Sequence, residues 1–228
     1  MQCPDCQSTH VVKNGRRQQQ QNYLCRQCSR QFLDAYQPKG YPPAVKEHCL
    51  VLYLNGMGFR AIERATGVCH NTVINWVKQA QSLLPNNENY EIPETAQLDE
   101  LQTFIGSKKN KVWLWSAVNS HQAGILKWVV GDRSLETFQR LWWAIRGWCC
   151  FLYITDGYPV YPCLIDECDH LVNKTAMTRV EGENSRLRHY LARLHRQSFC
   201  YSKSQEMLEA SICLLTYYLK HWKVLVPV

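Results

Sequence analysis

Cys3-Pro4-Asp5-Cys6 and Cys25-Arg26-Gln27-Cys28 are two C-x-x-C pairs with eighteen residues between them. Two residues between thiolates let one tight turn offer both sulfurs to one metal, and two such turns complete a tetrahedron. Cys3, Cys6, Cys25 and Cys28 are therefore expected to bind a structural Zn2+, since four thiolates leave no open position for substrate. His10 reads as an exposed neighbour. A second chemistry rests on carboxylates. Residues 151–154, Phe-Leu-Tyr-Ile, suit a buried strand, and Asp156 follows before Gly157 and Pro159 end strand pairing. Asp99 lies inside another expected strand, 95–105, where a charge is costly unless compensated. Taken singly, Asp156 also fits an ordinary turn and Asp99 an edge position. As a pair they suit a hard divalent cation.

Helices and strands must hold these groups in place, and the chain supplies them in order. Val11-Val12 and Tyr23-Leu24 read as arms of a hairpin that bends near residues 13–16, making 1–36 a small module that needs its metal to fold. Residues 37–43 read as a linker, with Pro38, Gly40, Pro42 and Pro43. Apolar spacing then predicts helices over 44–54, 59–65 and 71–84, with Phe59, Ile62 and Ala65 facing inward on the second. Thr66-Gly67-Val68 is a tight turn, so 43–84 reads as a helix-turn-helix. In that geometry the third helix enters the major groove and presents His70, Asn71, Thr72, Asn75 and Lys78. A three-helix packing unit with no DNA partner is the plain alternative. Residues 85–93 read as a second linker.

Strands over 95–105, 112–119 and 124–131, a helix over 134–148, the strand before Asp156 and a short strand near Leu171-Val172 make a mixed α/β layout. That is the element order of an RNase H-like fold: a mixed sheet flanked by helices, here preceded by the cysteine module and the helical segment. In such a fold the first and fourth strands lie side by side, so Asp99 and Asp156 could share one cation. A helix over 180–195 buries Val180, Leu187, Leu191 and Leu194. Glu181 and Arg188 lie two turns apart on one of its faces, Glu183 lies one step round, and Arg186, Arg193 and Arg196 add charge. A solvated helix face is the bland reading of that run. Residues 204–222 form a closing amphipathic helix. Cys163, Cys168 and His170 are a weaker metal candidate.

The totals agree with this division. The chain has 228 residues and a formal net charge of +7. Ten Lys/Arg face five Asp/Glu over residues 1–90, seven face ten over 91–173, and nine face four over 174–228. Basic flanks favour a polyanionic partner, and an acidic middle suits a divalent cation. Lys13, Arg16, Arg17, Arg26 and Arg30 make the cysteine module itself basic. No signal peptide or membrane span is expected, so twelve cysteines argue for thiolate ligands and buried thiols in a reducing compartment.

With these pieces in place, the chain resembles the transposases of bacterial insertion sequences of the insertion-sequence-one type, over nearly its whole length. LDELQTFIG, ITDGYPVY and RVEGENSRLRHYLARLHRQSFCYSKS carry the resemblance. It implies a zinc ribbon (1–36), a helix-turn-helix (43–84) and an RNase H-like catalytic domain of the DDE kind (94–228). It assigns the acidic triad to Asp99, Asp156 and Glu181, with twenty-four residues between the last two, and a phosphate-holding role to Arg188, seven residues after Glu181. Glu183 meets neither spacing. The departures lie in the binding modules: Cys69 stands where a capping serine or glycine is more usual. The implied function is binding of the element's terminal inverted repeats, followed by DNA cleavage and strand transfer. Mg2+ (or Mn2+) at the triad would serve as a pair of ions roughly 3.5–4 Å apart. The implied partners are element ends and target DNA, with no membrane, and a homo-oligomer when two ends are held. The implied location is the bacterial cytoplasm, at the nucleoid. A non-catalytic DNA-binding regulator derived from such an enzyme is the alternative function, and a general nuclease of the same fold is a third.

Overall fold

Alternating side chains around the cysteine pairs form three short antiparallel strands, β1 (Val11–Arg17), β2 (Gln20–Cys25) and β3 (Gln31–Leu33), in the order β1-β2-β3. The computed structural model describes residues 1–17, 19–34, 40–85, 90–195 and 198–227. It divides into two units, 1–42 and 43–228. In the first unit, the bend expected at residues 13–16 is instead a β-bulge between Lys13 and Arg16, and pairing continues to Arg17 opposite Gln20. Among the described residues its buried core is Cys3, Cys25 and Phe32, with Val11 and Tyr23 packed against it and Tyr23 stacked on Phe32 at 5.9 Å. So small a core cannot hold a fold without a cross-link.

The second unit begins with α1 (Pro43–Leu54), α2 (Phe59–Thr66) and α3 (His70–Ser82). Ile62 is buried, whereas Ala65, expected inside, is exposed because α2 is only two turns long and buries a narrow stripe. These helices are joined to the far end of the chain. Leu50, Leu54, Val73 and Val77 share one apolar core with Leu208, Ile212 and Leu215 of the last helix, α6 (Gln205–His221). Tyr53 Oη and Ser211 Oγ, 2.6 Å apart, fasten α1 to α6 inside that core.

The sheet of this unit contains β4 (Thr95–Ile105), β5 (Ser107–Asn119), β6 (Ile125–Gly131), β7 (Leu152–Thr155) and β8 (His170–Val172), in the order β6-β5-β4-β7-β8. The first three strands form an antiparallel meander, and β7 and β8 run parallel to β4. Residues 108–111, expected as a basic turn, extend β5. The turn itself tightens at Gly106, where Ile105 pairs with Ser107. One face of the sheet packs on α4 (Leu135–Ile145): Phe138, Leu141 and Ile145 meet Leu98, Trp115 and Tyr153. Ser134 caps α4 by accepting from the Thr137 N–H. The other face packs on α5 (Thr178–Tyr190), through Val180 against Val118 and Ile154, and Leu187 against Leu101 and Leu114. α5 starts and stops earlier than expected. Leu191 is extended, and one 3-10 turn carries Leu194 back into the core. The mixed sheet flanked by helices is thus present. Residues 37–39 of the first linker, residues 86–89 of the second and Arg196 fall outside the described residues.

Candidate active site

β4 and β7 pair in parallel, with Thr95 opposite Leu152, Ala96 opposite Tyr153 and Gln97 opposite Ile154. Two residues further along both chains, that register brings Asp99 level with Asp156. β7 is four residues long, and Tyr153, Ile154 and Thr155 are buried, so Asp156 emerges at the carboxyl end of a rigid strand. Such strand ends are where ligands bind in open sheets covered by helices. Gly157 has φ +85°, and an added Cβ would lie 2.7 Å from Val172 Cγ1. Only glycine satisfies both the dihedral and the space. Asp156 Oδ1 accepts from the Tyr158 N–H at 3.0 Å, which fixes the carboxylate over the turn. Burial, reinforced by the charges of Glu100 and Asp156, pushes Asp99 up to about 6. Asp99 thus carries its charge in a partly desolvated place close to other carboxylates, a strain that a cation would relieve.

α5 supplies the third carboxylate. Its first turn is held against β4 where the Val180 N–H donates to Gln97 Oε1 at 3.0 Å. One turn on, Asn184 Nδ2 donates to Asp99 Oδ2 at 2.7 Å. Glu181 precedes Asn184 by three residues on the same helical face and is exposed. Glu183 points elsewhere. It is buried, accepts from the Gly124 N–H at 3.0 Å, and pairs with Arg186 at 2.9 Å, tying α5 to the β5–β6 connection. The oxygens of Asp99, Asp156 and Glu181 are not all within 4.8 Å of one another, so the three do not form a closed cage. Arg188, half-buried one turn past Asn184, lines a cavity of about 280 Å³ together with Thr103, Arg193 and His195. Hard oxygen donors, a repulsive pair and a neighbouring basic pocket fit a divalent cation next to a phosphate.

Two groups of residues here carry no obvious sequence signal. One is Asn184, hidden in the charged run. The other is Glu100 with Arg133, Tyr158 and Tyr161. Glu100 lies on the opposite face of β4 from Asp99, buried, and takes hydrogen bonds from Arg133 Nε at 2.9 Å and Tyr161 Oη at 2.7 Å. The Arg133 guanidinium lies 4.7 Å from the centre of the Trp113 ring and 3.9 Å from that of Tyr158.

The four expected cysteines do converge. Cys3 and Cys28 sulfurs are 3.5 Å apart, as are those of Cys6 and Cys25, and all four lie within 4.8 Å of one another. A tetrahedral zinc with bonds of about 2.3 Å needs sulfurs about 3.8 Å apart. Gln7 and Ser29, each just after a C-x-x-C pair, share a left-handed conformation (φ 56° and 59°), so the two turns are near copies. A backbone N–H from Cys28 draws Cys25 down to about 6 against desolvation. Cys28, despite a backbone bond from Arg30, is pushed up to about 12 by the neighbouring sulfurs. Four packed thiols resist ionising together unless a cation joins them. The cluster fits a zinc ribbon. By contrast, Cys163, Cys168 and His170 do not gather, and His170 Nε2 is tied to Thr155 Oγ1 at 2.8 Å.

Of the residues expected to face DNA, Asn71 and Asn75 on α3 and Arg16 and Arg17 on β1 are exposed, and Thr72 is half-exposed. Two others already have partners: His70 Nδ1 meets Glu63 at 2.9 Å, and Lys78 meets Glu206 of α6 at 2.9 Å. No described helix is long and apolar enough to cross a membrane.

The strand order, and acidic residues brought level on its first and fourth strands, define an RNase H-like domain. Residues 94–222 match the family described as IS1 transposase. The chain belongs to that family, which makes it a transposase with DNA as its partner. It is 33% identical over 112 residues to the insertion element IS1 protein InsB of Shigella sonnei, covering 49% of this chain and 86% of that protein. The same identity and length relate it to the IS1 9 protein InsB of Escherichia coli K12 and to InsB of Haemophilus ducreyi, each covered over 67% of its length.

Proposed function

We propose that this transposase is a DDE-type polynucleotidyl transferase acting on the ends of its own insertion sequence. The zinc ribbon (1–36) and helix-turn-helix (43–84) bind the terminal inverted repeats, and residues 94–228 cut and join the DNA. What supports the reading is the β4–β7 register, which sets Asp99 level with Asp156, together with the Asn184–Asp99 bond that holds α5, the helix carrying Glu181, against β4. Asp99, Asp156 and Glu181 would hold Mg2+ or Mn2+, which would supply a lowered pKa for an attacking water and stabilisation of the departing oxygen. The chain's own residues do the rest. Asn184 holds the Asp99 carboxylate and the Tyr158 N–H that of Asp156. Arg188 holds a phosphate of the element end beside them. α3 orients the duplex through Asn71, Thr72 and Asn75, and Arg16 and Arg17 bind backbone phosphate. Water first frees a 3′-hydroxyl at each end. That hydroxyl then attacks target DNA, with no covalent protein–DNA intermediate. Two ends held together call for a homo-oligomer, and the work belongs to the bacterial nucleoid.

The test is incubation of the purified chain with its flanking inverted repeats and Mg2+, with strand breaks mapped to the nucleotide. Cuts that leave a 3′-hydroxyl at the element end, and that disappear in Asp156→Asn, support the reading. End binding without any metal-dependent cut would favour the regulator, and cutting without end preference would favour the general nuclease.

A further inference from the structure

At the turn of the helix-turn-helix, three side chains of different chemistry meet. Glu63 comes from the last turn of α2, and Cys69 and His70 from the start of α3. Their ligand atoms (one carboxylate oxygen, one sulfur, one imidazole nitrogen) all lie within 4.8 Å of one another. The turn between them is rigid. Gly67 closes α2 in a left-handed conformation (φ 73°), its N–H bound to Glu63 O, and Val68 is buried. Cys69 occupies the cap position of α3 without a side-chain capping bond. Its thiol is exposed, with the sulfur within 4.8 Å of a Glu63 carboxylate oxygen.

We infer that Glu63, Cys69 and His70 form a second transition-metal site, distinct from the four-cysteine cluster, that takes Zn2+ with water in the fourth position. One S, one N and one O ligand suit zinc and exclude Mg2+ as the preferred ion. Tetrahedral zinc sets such ligand atoms about 3.3–3.6 Å apart. His70 Nδ1 and Glu63 Oε2 are 2.9 Å apart, so rotation of three surface side chains suffices. Zinc replaces the proton shared in that contact, and the Cys69 thiol proton leaves to solvent. The ion would bridge α2 to α3 and take His70 Nδ1 out of any contact with bases. The inference stands whether or not α3 reads DNA, because its test contains none.

Full-length chain carrying one zinc per molecule is titrated with Zn2+, and separately with Co2+ while visible spectra are recorded. Expected is a second equivalent, whose cobalt form shows tetrahedral d–d bands with a single-thiolate charge-transfer band. Cys69→Ser and His70→Ala should each abolish that equivalent and leave the first intact, with unchanged circular dichroism showing that the fold survives. Saturation at one equivalent, or a second equivalent that persists in either variant, overturns the site.

Discussion

Asn184 Nδ2 donates to Asp99 Oδ2 at 2.7 Å, joining α5 to β4 at the level of the candidate cation site. The bond occupies one carboxylate oxygen and sets the plane in which the other can meet a cation. Asn184 is buried, and its own Oδ1 has no hydrogen-bond partner among the described residues, so it is held there at a cost. Groups that orient metal ligands typically contribute 10–100-fold in affinity or activity. Asn184→Ala is expected to weaken Mn2+ binding by about that factor, read by isothermal titration. Unchanged affinity would remove Asn184 from the site.

Glu181 and Glu183 separate cleanly. Glu183→Ala leaves the Gly124 N–H and Arg186 without their acceptor. It should cost about 1–3 kcal/mol of stability. Glu181→Gln alters an exposed side chain and should leave the melting temperature unchanged while abolishing metal-dependent cutting of end DNA. A Glu181→Gln protein that still cuts, beside a Glu183→Ala protein that is stable and inactive, would reverse the assignment.

Asp99 gives a pH signature. Its folded pKa of about 6 lies above the ordinary value of 3.8. A raised acid pKa means that the folded chain binds the proton more tightly than the unfolded one. Stability contributed by Asp99 is therefore greatest below the ordinary value and is lost as pH climbs through 6. Asp99→Asn should accordingly be more stable than the parent at pH 8, by about 3 kcal/mol, and the gap should close by pH 4. Melts at each pH without added divalent cation check this. A gap of constant size would mean that Asp99 ionises normally.

These contrasts separate what a sequence can reveal from what only packing decides. β4 matches its expected bounds because alternation over eleven residues is a strong signal, and Asp156 is marked by an apolar run ending at Gly157. The two C-x-x-C pairs need only spacing. The register that levels Asp99 with Asp156 is a relation between strands 57 residues apart, visible only through the resemblance or the structure. The partners of His70 and Lys78 are equally hidden, since Glu63 and Glu206 reach them through helix packing. Ala65 is misplaced by periodicity because a two-turn helix has too few residues to define its buried face.

The cysteine cluster predicts a local effect of metal removal. Chelation should unfold the 1–42 unit and leave the melting of 43–228 in place, because only the first unit relies on Cys3 and Cys25 for its core. Cys3→Ser/Cys25→Ser should do the same and lower affinity for end DNA. Limited proteolysis gives the readout. Protection of residues 1–34 in zinc-free protein would contradict it.

Arg133 makes the most demanding prediction. Its ion pair with Glu100 holds a carboxylate whose side chain is 2% exposed, and its planar face packs on Tyr158, whose hydroxyl donates back to Arg133 O at 2.9 Å. Tyr158 N–H in turn fixes the Asp156 carboxylate. Arg133→Ala therefore strands a buried charge and loosens the turn that aims Asp156, and it should cost about 3–5 kcal/mol. Arg133→Lys keeps the charge but loses the stacked plane and the second donor, and should fall between. The pairing and the aiming can be told apart by Glu100→Gln/Arg133→Met, which removes both charges and replaces them with groups of similar size. It should recover most of the stability and still cut end DNA poorly, because the guanidinium plane that covers the Tyr158 ring at 3.9 Å is then gone. Full recovery of cutting along with stability would reduce Arg133 to a partner for Glu100 and leave the Asp156 turn to Gly157 and the Tyr158 N–H.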